Sequence, residues 1–227
     1  MKYKCLLIDH DDTTVNSSPS IHYRAHLEQM RRMGRSAESL TLEDWFRINY
    51  NPGFAAYMDT VLQLSDTEKE LCYRIWRQYT TQMMPPFFEG ILSLLKQLKD
   101  NGGKFIVVSH SESDIIRNHY ERQNEVPGLM PDRIIGWTGD TEKNKPSPYP
   151  VYNAMEEYDL AKEEILVIDD LKPGIAMAEN AGVDSAGAGW SHRVPELQQD
   201  ITESATFYFE SVEQLSSLVL GSPVQKV

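Results

Sequence analysis

The chain has 227 residues, of which 41% are hydrophobic and 25% charged, and its formal net charge is -12 at pH 7. This composition suits a globular protein with either one large core or two modest ones. The negative charge argues against a nucleic-acid backbone or an anionic membrane as partner, because it would repel both.

The cysteines and the lengths of the apolar runs indicate the cellular compartment in which the protein is expected. Cys5 and Cys72, the two cysteines of the chain, fall in a predicted strand and a predicted helix, which is typical of a reduced intracellular protein. The first apolar run is too short for a signal peptide. No run approaches the roughly 18 residues that a membrane-spanning helix needs. We therefore expect a cytoplasmic protein.

A short strand and then a long helical block open the chain. The apolar strand 4–8 ends in the acidic segment 9–12. Ser18-Pro19 starts a predicted helix that stops at Gly34, Thr41 starts a second, and the capping box of Ser65 and Glu68 starts a third. Residues 15–85 are thus predicted to be entirely helical.

After Pro85-Pro86 the pattern alternates between helix and strand. Helices are predicted at 89–100, 112–123, 148–158 and 174–181, and strands at 104–109, 133–137, 164–169, 184–188 and 205–209. This alternation indicates an α/β fold with a doubly wound, parallel, Rossmann-like sheet, into which the helical block is inserted. We expect a core domain of residues 1–14 and 86–227 and an inserted α-helical domain of residues 15–85, with a frayed tail over 221–227.

Polar residues follow three of the predicted strands. Asp9 and Asp11 follow the first, Ser109 the second along the chain, and the pair Asp169-Asp170 ends a later one, so all are expected at the carboxyl edge of the sheet. Alternation along an extended segment puts Asp9 and Asp11 on one side. One carboxylate suits a nucleophile that attacks phosphorus and the other a general acid and base; we assign these roles to Asp9 and Asp11.

Four converging carboxylates require a cation. Asp9, Asp11, Asp169 and Asp170 would repel one another unless a metal ion neutralised them, and an all-oxygen donor set suits Mg²⁺. Lys145 and the Ser109 hydroxyl would balance the charge of a substrate phosphate.

Each of these residues also has a plainer interpretation. A lone Asp-x-Asp segment is more often a helix cap or a solvated loop. Ser109 also fits the cap of the next helix, Lys145 a loop lysine with Lys143 as a worse-spaced alternative, and His110 either a substrate contact or a passive loop residue. The agreement of four segments in order favours the catalytic interpretation.

The four segments resemble the motifs of the haloacid dehalogenase superfamily, in its branch of phosphoglycolate phosphatases and β-phosphoglucomutases. The first motif, Asp-x-Asp-x-Thr, matches residues 9–13, the second Ser109, the third Lys145, and the fourth the acidic pair and glycine in 169–174. The resemblance implies a Mg²⁺-dependent phosphatase that forms an aspartyl-phosphate. It also implies that the helical insertion, which lies between the first and second motifs, is a cap that closes over the core.

One departure falls in the first motif. Asp12 stands where this family most often has glycine, and Thr14 where leucine is common. Because aspartate tolerates the left-handed conformation, we expect the turn to be kept, and we assign Asp12 no catalytic role.

Other functions stay open at this point. A phosphomutase would return the phosphoryl group to a sugar, a dehalogenase would need no general acid, and a silent binding protein would keep the fold without activity. We expect a small phosphorylated molecule as partner, no nucleic acid, no membrane, and a monomer or a weak homodimer. The loop-like segment that contains Arg47, Asn49, Tyr50 and Asn51 is a candidate for reading the leaving group.

Overall fold

The computed structural model describes residues 1–35 and 40–221. Its strands are β1 (Cys5–Ile8), β2 (Lys104–Val108), β3 (Arg133–Ile135), β4 (Ile165–Asp169), β5 (Asp184–Ala188) and β6 (Phe207–Phe209). They form one sheet in the order β3-β2-β1-β4-β5-β6, in which every neighbouring pair is parallel. The predicted doubly wound sheet is confirmed, with β1 between β2 and β4.

Helices cover both faces of the sheet. They are α5 (Ile91–Asp100), α6 (Ser113–Arg122), α7 (Tyr149–Tyr158), α8 (Lys172–Ala181), α9 (Pro195–Ser204) and α10 (Val212–Leu220). Leu6 and Ile8 of β1 join a buried cluster with residues of α5 and α10, whereas Cys5 and Leu7 join one with residues of α7 and α8. The alternation of buried side chains along β1 therefore builds two apolar layers.

The helical insertion lies between β1 and α5 in the chain. It contains a π-helical turn (Ser18–His22), α1 (Tyr23–Arg32), α2 (Leu42–Tyr50), α3 (Phe54–Ala56), a second π-helical turn (Tyr57–Val61) and α4 (Asp66–Gln82). Capping boxes start α2, where Thr41 pairs with Asp44, and α4, where Ser65 pairs with Glu68. The predicted helical character of this block is confirmed in its described residues.

The two connections of the insertion to the sheet are hydrogen-bonded to each other. The Asn16 amide donates to the Pro86 carbonyl at 2.8 Å, and the Phe88 amide donates to the Thr14 carbonyl at 3.0 Å. The chain thus leaves the sheet and returns to it side by side. The domain boundaries at residues 14 and 86 remain a prediction, close to this paired segment.

The insertion meets the rest of the protein along two different seams. In the apolar seam, Phe46 and Tyr50 of α2 share a buried cluster with Ile175 of α8 and with Leu197 and Ile201 of α9.

The polar seam joins α4 to the start of α6. Arg77 binds Glu112 at 2.6 Å and Asp114 at 2.8 Å, and the Tyr73 hydroxyl donates to Glu112 at 2.8 Å.

Two helices of the sheet domain have no counterpart among the predicted elements. In α9 only Leu197 and Ile201 are buried, too few to mark a helical stripe, and α10 follows the short strand β6 after a few residues. The predicted tail 221–227 lies outside the described residues beyond Gly221. Among the described helices, none combines the length and apolar character that crossing a membrane requires.

The capping box of α4 gives a test of the insertion. Ser65→Ala removes the acceptor of the Glu68 amide and should lower the free energy of unfolding by about 1 kcal/mol, measured by urea denaturation. Ser65→Asp keeps an acceptor and should stay close to the wild type. Equal stability of the alanine and aspartate variants would contradict this role of the cap.

Candidate active site

The carboxyl ends of three adjacent strands bring the predicted residues together. Asp9 follows β1, Ser109 follows β2, and Asp169 ends β4. Because β1 is hydrogen-bonded to both β2 and β4 in parallel, these three side chains start from one edge of the sheet. Lys145 reaches the same edge from the loop before α7.

Three buried carboxylates and one ammonium group form the centre of the site. Oxygen atoms of Asp9, Asp169 and Asp170 all lie within 4.8 Å of one another. The Lys145 Nζ lies 2.6 Å from an oxygen of Asp9 and 2.6 Å from an oxygen of Asp169. Lys145, and not Lys143, is therefore the lysine of this site, since Lys143 pairs with the partly exposed Asp140.

Hydroxyl groups from two other segments hold Asp170. Thr13 donates to one of its carboxylate oxygens and Ser191 to the other, both at 2.9 Å. The carboxylate of Asp169 accepts the amide of Leu171 at 2.8 Å in addition to its bond with Lys145. Both acidic side chains of this pair are thus fixed in position.

The charges of this centre are not balanced by the protein alone. Burial raises the pKa of Asp9 to about 8, against the opposing effect of Lys145. Burial and the neighbouring Asp9 and Asp169 carboxylates raise the pKa of Asp170. A divalent cation would favour the ionised forms of all three acids, and oxygen donors alone are the set that Mg²⁺ prefers.

Asp11 lies beside this centre, and its carboxylate is not part of the acidic group. One oxygen lies 2.8 Å from His22 Nε2 and the other accepts a hydrogen bond from Ser111. The Trp76 indole donates to His22 Nδ1 at 3.1 Å, so in this arrangement Nε2 carries the proton and donates to Asp11. The arrangement gives no support to the Asp11 carboxylate as a metal ligand, which remains only a prediction.

These contacts decide the protonation of Asp11. Burial alone would raise the pKa of this carboxyl, but His22 and Ser111 together hold the pKa well below its usual range. The side chain keeps 21% of its surface exposed. Asp11 is thus an ionised and partly accessible carboxylate.

Ser109 and His110 lie at the end of β2 with structural partners. The Ser109 hydroxyl oxygen accepts the Ser111 amide at 3.0 Å. The alternative that Ser109 caps the next helix is wrong, because the N-cap residue of α6 is Glu112. His110 Nε2 donates to the Lys145 carbonyl at 3.0 Å, and burial followed by the nearby Lys145 charge lowers the pKa of His110. Both residues border the carboxylate centre, and their contact with a substrate remains a prediction.

Three side chains of the segment 47–51 have partners in α9 or in their own helix. Arg47 binds Glu196 at 2.6 Å and the Tyr50 hydroxyl binds Asp200 at 2.5 Å, while the side chain of Asn49 donates to the backbone of its own helix. These contacts dock α2 on α9. They leave Arg47 and Tyr50 engaged at the apolar seam.

Sequence reasoning missed three of the residues that hold the acids: Ser111, His22 and Ser191. Ser111 lies two positions after Ser109, and the same alternation that paired Asp9 with Asp11 would have found it. His22 and Ser191 come from segments without any distinguishing pattern, and only the fold brings them to the site.

Gly174 tests how closely α8 packs on Asp169. A Cβ at residue 174 would lie 2.0 Å from an Asp169 carboxylate oxygen. Helix propensity alone would make Gly174→Ala stabilising by about 1 kcal/mol, but we expect a net loss of roughly 1–3 kcal/mol because Asp169 must move. The measurement is thermal unfolding, with Ala176→Gly as the control for propensity in the same helix. A raised melting temperature for Gly174→Ala would contradict this packing.

Known proteins share this sequence and fold. The profile of the haloacid dehalogenase-like hydrolase family matches residues 6–188. A protein of Caldanaerobacter subterraneus, provisionally named pyrophosphatase PpaX, is 28% identical over 75% of this chain and 77% of its own. A phosphoglycolate phosphatase of Vibrio vulnificus is 26% identical over 64% of this chain and 61% of its own.

A solved structure shows the same fold over nearly the whole chain. A provisionally named haloacid dehalogenase-like hydrolase from Bacteroides fragilis superposes with a TM-score of 0.77, covering 94% of this chain and 100% of its own, at 22% identity. The resemblance read from the four motifs is thus confirmed at the level of the family. With the family profile matched across the whole span from β1 to β5, this chain belongs to the haloacid dehalogenase-like hydrolases.

Proposed function

We propose that this protein is a Mg²⁺-dependent phosphatase that hydrolyses small phosphomonoesters through an aspartyl-phosphate intermediate. The observation that carries the proposal is the separation of the acids into two environments. Asp9 lies in the buried group bound to Lys145, and Asp11 lies outside that group, partly exposed and bound to His22. Such a division suits one nucleophile and one proton carrier.

The reaction has two displacements at phosphorus. In the first, an Asp9 oxygen forms a bond to phosphorus, the bond from phosphorus to the leaving alcohol breaks, and Asp11 gives the departing oxygen a proton. In the second, Asp11 takes a proton from water, the water oxygen bonds to phosphorus, and the bond from Asp9 to phosphorus breaks. Inorganic phosphate leaves and both aspartates return to their starting state.

Asp11 must carry a proton for the first step. Its contacts in the structure keep it ionised, but a phosphate dianion bound beside it would raise the pKa of this carboxyl again. His22 keeps its Nε2 proton, because its Nδ1 accepts from the Trp76 indole, so the proton taken up by Asp11 would come from solvent at its exposed side. Substrate binding would therefore convert Asp11 from the base form to the acid form.

The reaction also requires positive charge beside the phosphoryl oxygens. Mg²⁺ held by Asp9, Asp169 and Asp170 would supply positive charge to the phosphoryl oxygens. Lys145 holds Asp9 in place, and Ser109 offers a hydroxyl at the end of the neighbouring strand, where a phosphate oxygen needs a donor.

The helical insertion, residues 15–85, serves in this proposal as a cap. It brings His22 and Trp76 to the site and would exclude bulk water during the reaction. The names of the relatives refer to pyrophosphate and phosphoglycolate, both small anions, and this supports a small substrate.

Removing the nucleophile tests the chemistry. Asp9→Asn should lower kcat for p-nitrophenyl phosphate with Mg²⁺ by about 1000-fold or more, because the neutral amide is too weak a nucleophile to form the acyl-phosphate intermediate. Asp159→Asn changes an exposed aspartate on α7's C-terminal side and should leave kcat unchanged. An undiminished rate for pure Asp9→Asn would remove the assignment. Isomerisation of a hexose 1-phosphate without release of phosphate would indicate a phosphomutase instead.

Metal binding has a readout independent of turnover. Mg²⁺ at 100 times its Kd should stabilise the wild type by about 2.7 kcal/mol, because it binds the folded state alone. Asp170→Asn should lose most of this gain in thermal unfolding, and a chelator should abolish the hydrolysis by the wild type. An equal Mg²⁺-induced shift in both proteins would contradict the site.

A further inference from the structure

Two neighbouring aspartates hold the two ends of one helical turn. Asp12 accepts from Ser18, the first residue of the π-helical turn, and Asp11 accepts from His22, its last residue. The turn is the first element of the insertion. The loop 9–13, called the catalytic loop below, is therefore hydrogen-bonded to both ends of this turn.

The contacts between Asp12 and Ser18 are direct and buried. The Ser18 amide donates to one Asp12 oxygen at 2.9 Å, and the Ser18 hydroxyl donates to the other. Asp12 is 7% exposed and Ser18 3%. Ser17, at the cap position of the turn, makes no side-chain cap bond, so Asp12 satisfies an amide that the helix itself leaves free.

The connection continues into the middle of the insertion. The Trp45 indole donates to the Ser18 hydroxyl oxygen at 2.9 Å. Trp45 is 5% exposed, and its ring lies 5.2 Å from the rings of both His26 and Phe54. One path of hydrogen bonds and packed rings thus runs from the catalytic loop to α1, α2 and α3.

The backbone conformation at residue 12 does not favour an aspartate. Its φ is +60°, where glycine is less strained than any residue with a side chain. Burying a carboxylate is unfavourable as well. The side-chain bonds to Ser18 are the contribution that offsets both costs, so the function of Asp12 lies in its side chain.

We propose that Asp12 is a positioning residue that fixes the first turn of the insertion, through Ser18 and Trp45, so that His22 meets Asp11. Asp12 touches no reacting atom. The catalytic consequence rests on the phosphatase function proposed above, whereas the geometric consequence does not.

Glycine and asparagine variants separate the side chain from the backbone. Asp12→Gly relieves the backbone strain of the positive φ but loses both hydrogen bonds to Ser18. Because a small misplacement of Asp11 is costly, kcat for p-nitrophenyl phosphate should fall by about 10-fold. The KM should change by less than about 2-fold. Asp12→Asn keeps an acceptor for the Ser18 amide and offers its own amide to the Ser18 hydroxyl oxygen, and should restore kcat to within about 3-fold of the wild type. Asp159→Gly is the matched control, because this exposed aspartate also has positive φ, at +51°.

Tryptophan indole resonances report the geometry without turnover. The chain has four tryptophans; in ¹H–¹⁵N spectra of Asp12→Gly, the indole signals of Trp45 and Trp76 should shift, because their acceptors are Ser18 and His22. The signal of Trp190, which donates to the Thr13 carbonyl at 3.0 Å, should stay in place.

The outcomes are distinct. Wild-type kcat in Asp12→Gly together with unshifted Trp45 and Trp76 signals would overturn the proposal, and so would equal losses of kcat in the glycine and asparagine variants. A shift of Trp190 as large as that of Trp45 would mean collapse of the loop and would also overturn it. If the wild type released no phosphate from any substrate, the phosphatase proposal would fail, and the Trp45 and Trp76 shifts would still decide the role of Asp12.

Discussion

The buried contact of one ammonium group with two carboxylates is the interaction on which this site depends. Parallel strands deliver Asp9 and Asp169 to the same edge of the sheet, where water is largely excluded. Lys145 lies between them, and both acids raise the pKa of its amine against the effect of burial. Without this cation the sheet would bring like charges together with nothing to offset their repulsion.

The loop 9–13 is the junction through which the different parts of the protein act on one another. Asp9 binds the lysine of a distant loop, Thr13 binds Asp170 after β4, and Asp11 and Asp12 bind the insertion. Consecutive residues of one short segment therefore serve different partners. Because each of its side chains is buried or nearly so among these partners, a substitution in this loop affects both sides of the site.

The sequence predicted the sheet well because each buried parallel strand corresponds to an unbroken run of apolar residues that is followed by a polar residue. Asp9, Ser109 and Asp169 were located in this way, whereas Lys145 was located by its match to the third family motif. The left-handed turn at Asp12 is confirmed. The partners of Asp11 were not located, since His22 lies on a helix whose orientation depends on the packing of α4. Helix α9 buries only Leu197 and Ile201, so its apolar pattern is weak, whereas α10 has the helical spacing of Val212, Leu215 and Val219, which sequence reasoning overlooked.

The two seams between the insertion and the sheet domain are held by different kinds of interaction. The seam of Phe46 and Tyr50 excludes water through apolar packing, whereas that of Arg77 consists of partly exposed ion pairs. Dissolved salt screens the second kind of contact and strengthens or leaves intact the first. Ionic strength therefore weakens the contacts of Arg77 that make up the polar seam, whereas at the apolar seam it weakens the exposed pair of Arg47 with Glu196 and leaves the packing of Phe46 and Tyr50 intact.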